Sequence, residues 1–137
     1  MDKLDEAILK ALLKDSRLSF AEIGRQINLS PAAVRDRVLK MEDLKIIKKY
    51  SVELNHKLLG QDLEVIILVK VFHGKLKPFL KLIPKISEIE NAYRITGNKN
   101  VHLRLVLRNQ AHLQDIIETL MVYGDTETML ILSNILD

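Results

Sequence analysis

Basic side chains are concentrated around one short stretch of the sequence, SPAAVRDRV at residues 30–38. Residues 35–49 carry six Lys or Arg against three Asp or Glu, and the whole net charge of +3 lies within residues 1–60. The planar fork of an arginine matches phosphate oxygens and the O6/N7 edge of guanine. This distribution favours a polyanionic partner, although the solvated face of an ordinary helix explains the charge count equally well.

Helices are the elements that must position these side chains. Apolar residues recur at helical spacing over residues 2–14, and Ser19 is a typical N-cap for a second, short helix. Ser30 caps a third helix over residues 31–44, which has proline at its first position, and Asn28 suits a left-handed turn before it. Two short helices joined by a tight turn predict a helix-turn-helix. The residues predicted to face the core from the third helix are Val34, Val38 and Met41.

The outer face of the third helix separates its residues by role. The small Ala32 and Ala33 and the cap Ser30 allow close approach to a DNA groove. Arg35 is the candidate for a guanine edge, whereas Arg37 lies beside the core and suits a phosphate contact or an ion pair within the chain. Asp36 requires a neighbouring arginine or a cytosine amino group as its partner. Further candidate phosphate contacts are Arg17, Arg25, Lys40, Lys48 and Lys49.

The second half of the sequence changes to strand spacing. Residues 64–72 and 101–108 have β-strand patterns, and a last strand is predicted at 128–136. Helical patterns lie between them, with a helix end expected near Ile83 because Pro84 follows it. The order β-α-β-β-α-β predicts a ferredoxin-like sheet, which makes the chain an α+β protein. We predict a winged-type helix-turn-helix domain at 1–45, an extended connector at 46–62 and the ferredoxin-like domain at 63–137.

Both faces of two predicted strands are apolar. In 64–72 one set contains Val65, Ile67 and Val69, and the other contains Ile66 and Leu68. In 128–136 one set contains Met129, Ile131 and Ile135, and the other contains Leu130, Leu132 and Leu136. Helices on one side of a four-stranded sheet cover only one set, and a large exposed apolar patch is unusual on a monomer. We therefore expect a homodimer formed sheet to sheet, with coverage by the connector or the N-terminal domain as the alternative.

Composition argues against several classes of protein. The chain has no cysteine, no apolar run long enough for a membrane span and no signal-peptide pattern, so we expect a cytoplasmic protein without a membrane partner. The four histidines lack metal-ligand spacing, and no nucleophile, phosphate loop or carboxylate pair suited to catalysis stands out. We predict no metal, no cofactor and no enzymatic activity.

The N-terminal sixty residues resemble the DNA-binding domain of the Lrp/AsnC, or feast/famine, transcriptional regulators. The similarity includes Leu4-Asp5, the sequence DSR at 15–17, Leu29-Ser30, and Leu59-Gly60. The second half resembles the effector-binding and oligomerising domain of that family through RITGNKNVHLRLVL at 94–107. The resemblance implies a regulator that binds double-stranded DNA, dimerises through its sheets and assembles further, commonly to tetramers or octamers.

The resemblance also implies an amino acid or similar small molecule as effector. The family's effector loop aligns with Thr96, Gly97, Asn98, Lys99 and Asn100. This chain differs from the family at two positions, one in that loop and one in the helical domain. The family usually has an aspartate where this chain has Asn100, and a glycine where it has Lys45.

Three alternatives stay open at this stage. Some tetrapyrrole decarboxylases resemble the same two-domain architecture, so the fold alone leaves catalysis possible. An architectural DNA-binding protein without an effector would share the helical domain. The segment TGNKN could also be a simple hairpin turn, with Gly97 and an asparagine at positive φ.

Overall fold

The computed structural model describes residues 1–137 and places them in two units, Met1–Glu53 and Leu54–Asp137. The domain limits predicted at residues 45 and 63 lie on either side of this division and stay a prediction. No helix is both long enough and apolar enough to span a bilayer.

Three helices form the first unit: α1 (Lys3–Lys14), α2 (Phe20–Ile27) and α3 (Pro31–Asp43). The predicted caps are present. Ser19 Oγ accepts from the Glu22 N–H, and the Glu22 side chain accepts from the Ser19 N–H, which makes a capping box. Ser30 Oγ accepts from the Ala33 N–H at 3.1 Å. These bonds satisfy N–H groups that have no partner inside the helix, and so they fix where each helix begins.

The turn between α2 and α3 depends on two special positions. Asn28 has the left-handed conformation predicted for it, with φ 58° and ψ 47°. Gly24 lies against the start of α3, where a Cβ would stand 2.3 Å from the carbonyl oxygen of Leu29. The two helices approach each other this closely only because residue 24 lacks a side chain.

The end of α3 keeps its left-handed residue although that residue is a lysine. Lys45 has φ 59°, and the Ile46 N–H donates to the Met41 carbonyl at 2.9 Å. The Lys45 N–H donates to the Glu42 carbonyl at 3.0 Å, which completes a Schellman motif. The departure from glycine therefore changes the residue and not the turn. After it, residues 48–55 contain no strand, so the unit has no β-wing.

The core of the first unit takes residues from all three helices. The three predicted on α3 are fully or almost fully buried, together with one residue from α1 and one from α2. These five are Ile8, Ile23, Val34, Val38 and Met41. The helical stripe predicted from the sequence is therefore confirmed.

The second unit has the predicted order of elements. Its elements are β1 (Leu63–Val71), α4 (Leu76–Leu82), β2 (Ile89–Arg94), β3 (Val101–Leu107), α5 (Gln110–Met121) and β4 (Gly124–Leu130). They form one antiparallel sheet in the order β2-β3-β1-β4, which confirms the ferredoxin-like fold. Pro84 lies in a 3-10 turn, Ile83–Lys85, where α4 was predicted to end.

One face of this sheet carries the second core. Alternate residues of β1 and β3 point into it, and α4, the 3-10 turn after α4 and α5 contribute the rest. Its buried members are Val65, Ile67, Val69, Phe79, Ile83, Val101, Leu103, Leu105, Leu107, Ile116 and Leu120.

The last strand was predicted wrongly. The sequence placed it at 128–136, whereas β4 is Gly124–Leu130. Its register pairs Gly124 with Val71 and Leu130 with Val65. Leu130 therefore pairs only two residues from Leu63, where β1 begins, and little of β1 is left to pair with the tail. The threonines at 126 and 128 occupy the inward positions opposite Val69 and Ile67 and give the strand a less apolar pattern than the tail has.

The open face of the sheet is less apolar than predicted. Ile66 and Leu68 lie on it, but Arg104 pairs in register with Ile66, and its Nη2 donates to Glu64 Oε2 at 2.7 Å. Leu132 and Leu136, which were assigned to an apolar face of the last strand, lie outside any strand and are 89% and 94% exposed. The apolar residues of this face, which include Met129 opposite Ile66, are thus interrupted by an ion pair.

Candidate nucleic-acid interface and effector loop

The outer face of α3 presents the side chains predicted for it. Ser30, Ala32, Arg35, Asp36 and Lys40 are exposed, while Ala33 is half-buried. The small residues cluster in the first turn, where the N-terminal end of the helix carries the partial positive charge of its dipole. The arrangement leaves the backbone of this turn accessible to a ligand.

Arg35 is held only loosely. Its Nη1 lies 3.8 Å from Asp36 Oδ1, and the two side chains are 59% and 76% exposed. A surface pair of this kind contributes about 0–1 kcal/mol, because water competes for both groups. The guanidinium of Arg35 therefore remains free to exchange Asp36 for another partner at small cost.

Arg37 differs because it is engaged within the unit. Its Nη1 donates to both carboxylate oxygens of Asp2 at 2.8 Å and to Asp5 Oδ1 at 3.0 Å. The hydrogen bond from Arg37, with that from the Asp5 N–H, lowers the pKa of Asp2 to about 2, and the hydrogen bonds to Asp2 and Asp5 raise the pKa of Arg37. Of the two roles predicted for this arginine, the structure contains the ion pair within the chain.

The remaining predicted phosphate contacts are exposed and form no ion pair. They are Arg17, Arg25, Lys40, Lys48 and Lys49. All five belong to the first unit, and their positive charge has no partner within it. They remain available for a polyanion.

Tyr50 ties the segment after α3 to that helix, and sequence analysis did not identify it. Its hydroxyl donates to Glu42 Oε1 at 2.8 Å, and partial burial together with this bond raises the pKa of Tyr50 to about 12. Asp2 and Asp5 were missed as well. The only signal in the sequence was their acidic spacing at the start of α1, which indicated a helix cap and not a partner for Arg37.

The predicted effector loop is exposed at Thr96, Gly97 and Asn98 and half-buried at Lys99 and Asn100. Gly97 has φ 106°, but neither Asn98 nor Asn100 has a positive φ. The alternative of a simple hairpin turn, with Gly97 and an asparagine both at positive φ, is therefore wrong for the asparagine. Only the glycine supplies the conformation that an L side chain rarely adopts.

Asn100 is bound to the end of β1. Its Oδ1 accepts from the Val71 N–H at 3.0 Å, its N–H donates to the Val69 carbonyl at 3.0 Å, and its carbonyl accepts from the Ile95 N–H at 3.1 Å. An aspartate oxygen would accept the same Val71 N–H. The side-chain amide therefore keeps the anchoring bond, and its NH2 group makes no hydrogen bond within the chain.

The four histidines have separate surroundings. His56 contacts Gln61, His102 lies against Tyr93 with ring centroids 5.9 Å apart, His112 lies near Glu88, and His73 is exposed. No group of three His, Cys, Asp or Glu side chains is arranged to hold a metal ion.

Comparison with known families matches both units. The model of the AsnC-type helix-turn-helix domain matches residues 1–42, and that of the Lrp/AsnC ligand binding domain matches residues 64–137. The chain is 36% identical over 135 residues to the HTH-type transcriptional regulator LrpC of Bacillus subtilis, covering 98% of this chain and 94% of that protein. It is 30% identical to the regulatory protein AsnC of Escherichia coli K12, covering 98% and 91%.

The solved structure of B. subtilis LrpC has a similar fold. It superimposes with a TM-score of 0.93 at 36% identity and covers 98% of this chain and 96% of that one. The agreement extends over both units, so the order of helices and strands described above is the order found in that regulator.

Proposed function

Because the chain belongs to the Lrp/AsnC family of transcriptional regulators, we propose that it binds a specific DNA sequence by placing α3 in the major groove. The observation that supports this is the outer face of α3, where a loosely held arginine follows a turn of small residues. Relatives named as regulators, and not as enzymes, support a binding function without catalysis.

The residues of this surface have different roles in the proposal. Arg35 donates to the O6 and N7 atoms of a guanine, which is the commonest specific contact to a base edge. Ser30, Ala32 and Ala33 let the helix approach the groove, and Asp36 balances Arg35 when DNA is absent. The exposed cations contact phosphates, which fixes orientation without sequence information. They are Arg17, Arg25, Lys40, Lys48 and Lys49.

We infer that two copies act together. One recognition helix makes too few base contacts for specificity, and dimers of such domains bind half-sites about one helical turn apart. The open face of the sheet, with the half-buried Ile66 and Leu68 beside the Glu64–Arg104 pair, is the proposed dimer surface. Assembly of dimers into tetramers or octamers is an expectation from the resemblance, and a cytoplasmic location is an expectation from the composition.

An amino acid or related metabolite is the proposed effector. The support is the match of residues 64–137 to a ligand-binding domain and the exposed loop at Thr96–Asn98. The free NH2 group of Asn100 would donate to a ligand carboxylate, while Lys99 beside it adds a positive charge. Asn100 lacks the charge that would pair with a ligand ammonium, so its hydrogen bond to such a group has about half the strength of the bond that an aspartate would make.

Thermal unfolding with each of the twenty amino acids tests the effector. A ligand present at a hundred times its Kd adds about 2.7 kcal/mol of stability, so one amino acid is expected to raise Tm. In Asn100→Asp the anchoring bond to Val71 is retained, but the NH2 donor is lost and a negative charge faces the ligand carboxylate, so the same ligand is expected to give a smaller rise. If no amino acid raises Tm in either protein, the effector proposal fails.

Binding of the protein to DNA from upstream of its own gene tests the DNA-binding proposal. We expect affinity at least about 10³-fold tighter than for shuffled DNA of the same length. The affinity should fall steeply as salt rises, since phosphate contacts release bound counterions. Equal affinity for both DNAs, or binding that does not depend on salt, contradicts sequence-specific regulation through this domain.

A further inference from the structure

Arg37 joins the recognition helix to the first turn of another helix. Asp2 is the N-cap of α1 and Asp5 is its third residue, and each accepts from the backbone N–H of the other, at 2.9 Å and 3.1 Å. The same two carboxylates accept from Arg37 Nη1. One arginine of α3 is therefore bound to a capping box that is itself fixed to the backbone of α1.

The charge of this cluster opposes contact with DNA. Two carboxylates and one guanidinium leave a net charge of −1, which repels phosphate at close range. The positive end of the α1 dipole is already occupied by Asp2 and Asp5. The Arg37 side chain is 31% exposed, against 59% for Arg35. Charge, the engagement of Nη1 by two carboxylates and lower exposure all separate Arg37 from the residues of the outer face.

The cluster lies where it would set the direction of α3. Arg37 follows the buried Val34 by three residues and precedes the buried Val38, so its side chain emerges at the border of the core. Apolar contacts resist separation of the helices but leave them free to rotate or slide by small amounts, because the hydrophobic effect is non-directional. Three charge-assisted hydrogen bonds to a rigid cap add the missing directional constraint.

We propose that Arg37 is a positioning residue for DNA binding: held by Asp2 and Asp5, it fixes the orientation of α3 on α1 and makes no phosphate contact. This inference rests on the proposed function, since it concerns how α3 is presented to DNA. It removes Arg37 from the DNA contacts that the sequence suggested and adds Asp2 and Asp5 to the residues on which DNA binding depends.

The salt dependence of DNA binding distinguishes positioning from phosphate contact. Each phosphate contact contributes about 0.9 to the slope of log K against log salt. We expect Arg37→Gln to weaken specific binding by about tenfold with an unchanged slope. Lys40→Gln is the matched control, because it removes an exposed cation of the same helix and is expected to lower the slope by about one unit.

A second variant removes the carboxylates and leaves the arginine. In Asp2→Asn/Asp5→Asn the N-cap is retained, because asparagine caps helices as well as aspartate does. If Arg37 touched phosphate, losing two negative charges would tighten DNA binding. Positioning predicts the opposite: weaker specific binding and an unchanged slope. Circular dichroism and Tm establish the folded fraction of each variant, to which the affinities are normalised.

The inference is overturned if Arg37→Gln lowers the salt slope by about one unit, if the double variant binds DNA more tightly, or if the folded variants bind as the wild type does. Failure of the proposed function has a different outcome, in which the wild-type protein itself shows no preference for its specific DNA.

Discussion

At the scale of residues, two arginines two positions apart on one helix have different surroundings. Helical spacing predicted that Arg35 would lie on a shoulder of the outer face and Arg37 beside the core, and their side chains are 59% and 31% exposed. The partners of Arg37 could not be predicted, because Asp2 and Asp5 are separated from it by 35 and 32 positions in the sequence. Pairing at that distance depends on how α1 packs on α3, which no local pattern contains.

Asp2→Asn is predicted to destabilise the protein at neutral pH but not in acid. The pKa of Asp2 falls from 3.8 to about 2 on folding, chiefly through the Arg37 hydrogen bond. A carboxylate with a lowered pKa stabilises the folded state above pH 3.8, and the contribution is lost as the pH falls toward 2. Urea unfolding of wild type and Asp2→Asn should therefore differ at pH 7 and converge near pH 2.

The matched control for Asp2→Asn is Glu6→Gln, which removes an exposed carboxylate from the same turn of α1 without an ion pair. Its stability relative to wild type should vary much less over this pH range. A difference between Asp2→Asn and wild type that persists at pH 2 would show that the effect is unrelated to the ionised carboxylate.

At the scale of elements, helix ends were predicted best and the last strand worst. Ser19, Asn28 and Ser30 belong to short-range motifs in which the residue and its partner lie within three or four positions, so the sequence contains both. The position of β4 depends instead on its register with β1, and the apolar tail after Leu130 has a stronger strand pattern than the strand itself. Long-range pairing, and not local preference, decided that boundary.

Gly24→Ala is predicted to destabilise the helix-turn-helix, against the usual rule for helices. Replacing glycine by alanine inside a helix normally adds about 0.5–1 kcal/mol of stability. Here the new Cβ would stand 2.3 Å from the Leu29 carbonyl oxygen, which is backbone and cannot swing away. We expect a loss of about 1–3 kcal/mol, measured as a lower midpoint of chemical denaturation.

Gln26→Ala provides the control for Gly24→Ala, because residue 26 is exposed on the same helix. It should change the free energy of unfolding by a few tenths of a kcal/mol at most. A stabilised Gly24→Ala protein would mean that α2 and α3 approach each other less closely than described.

At the scale of the whole molecule, each unit has its own core, and the family assignment covers both. The ferredoxin-like topology was predictable because the order of periodicities along the chain is distinctive. The composition of its open face was not, since the Glu64–Arg104 pair joins residues 40 positions apart. Apolar residues around an ion pair suit a surface for a second copy, because polar groups at interfaces give register and specificity.

Leu68→Lys is predicted to convert the protein from a dimer to a monomer. Leu68 lies on the open face between His102 and Glu127, where a lysine would place a charge in the proposed interface. Light scattering at micromolar concentration should give the monomer mass for this variant and the dimer or a larger mass for wild type. Specific DNA affinity should fall in this variant because dimerisation is lost.

Leu13→Lys is the control for Leu68→Lys, because Leu13 is 87% exposed on α1 in the other unit. It should leave the oligomeric mass unchanged. A wild-type protein that is monomeric at micromolar concentration would contradict the dimer outright, and an oligomeric Leu68→Lys protein would place the interface elsewhere.

Base contact by Arg35 is tested most directly by measuring the affinity of wild type and Arg35→Ala for a set of sites, each with one base pair changed. We predict that Arg35→Ala loses about 1–3 kcal/mol on the preferred site and no longer discriminates at one base position, while discrimination elsewhere is retained. A uniform loss on all sites, with a salt slope lower by about one unit, would instead make Arg35 a phosphate contact and contradict base recognition through this residue.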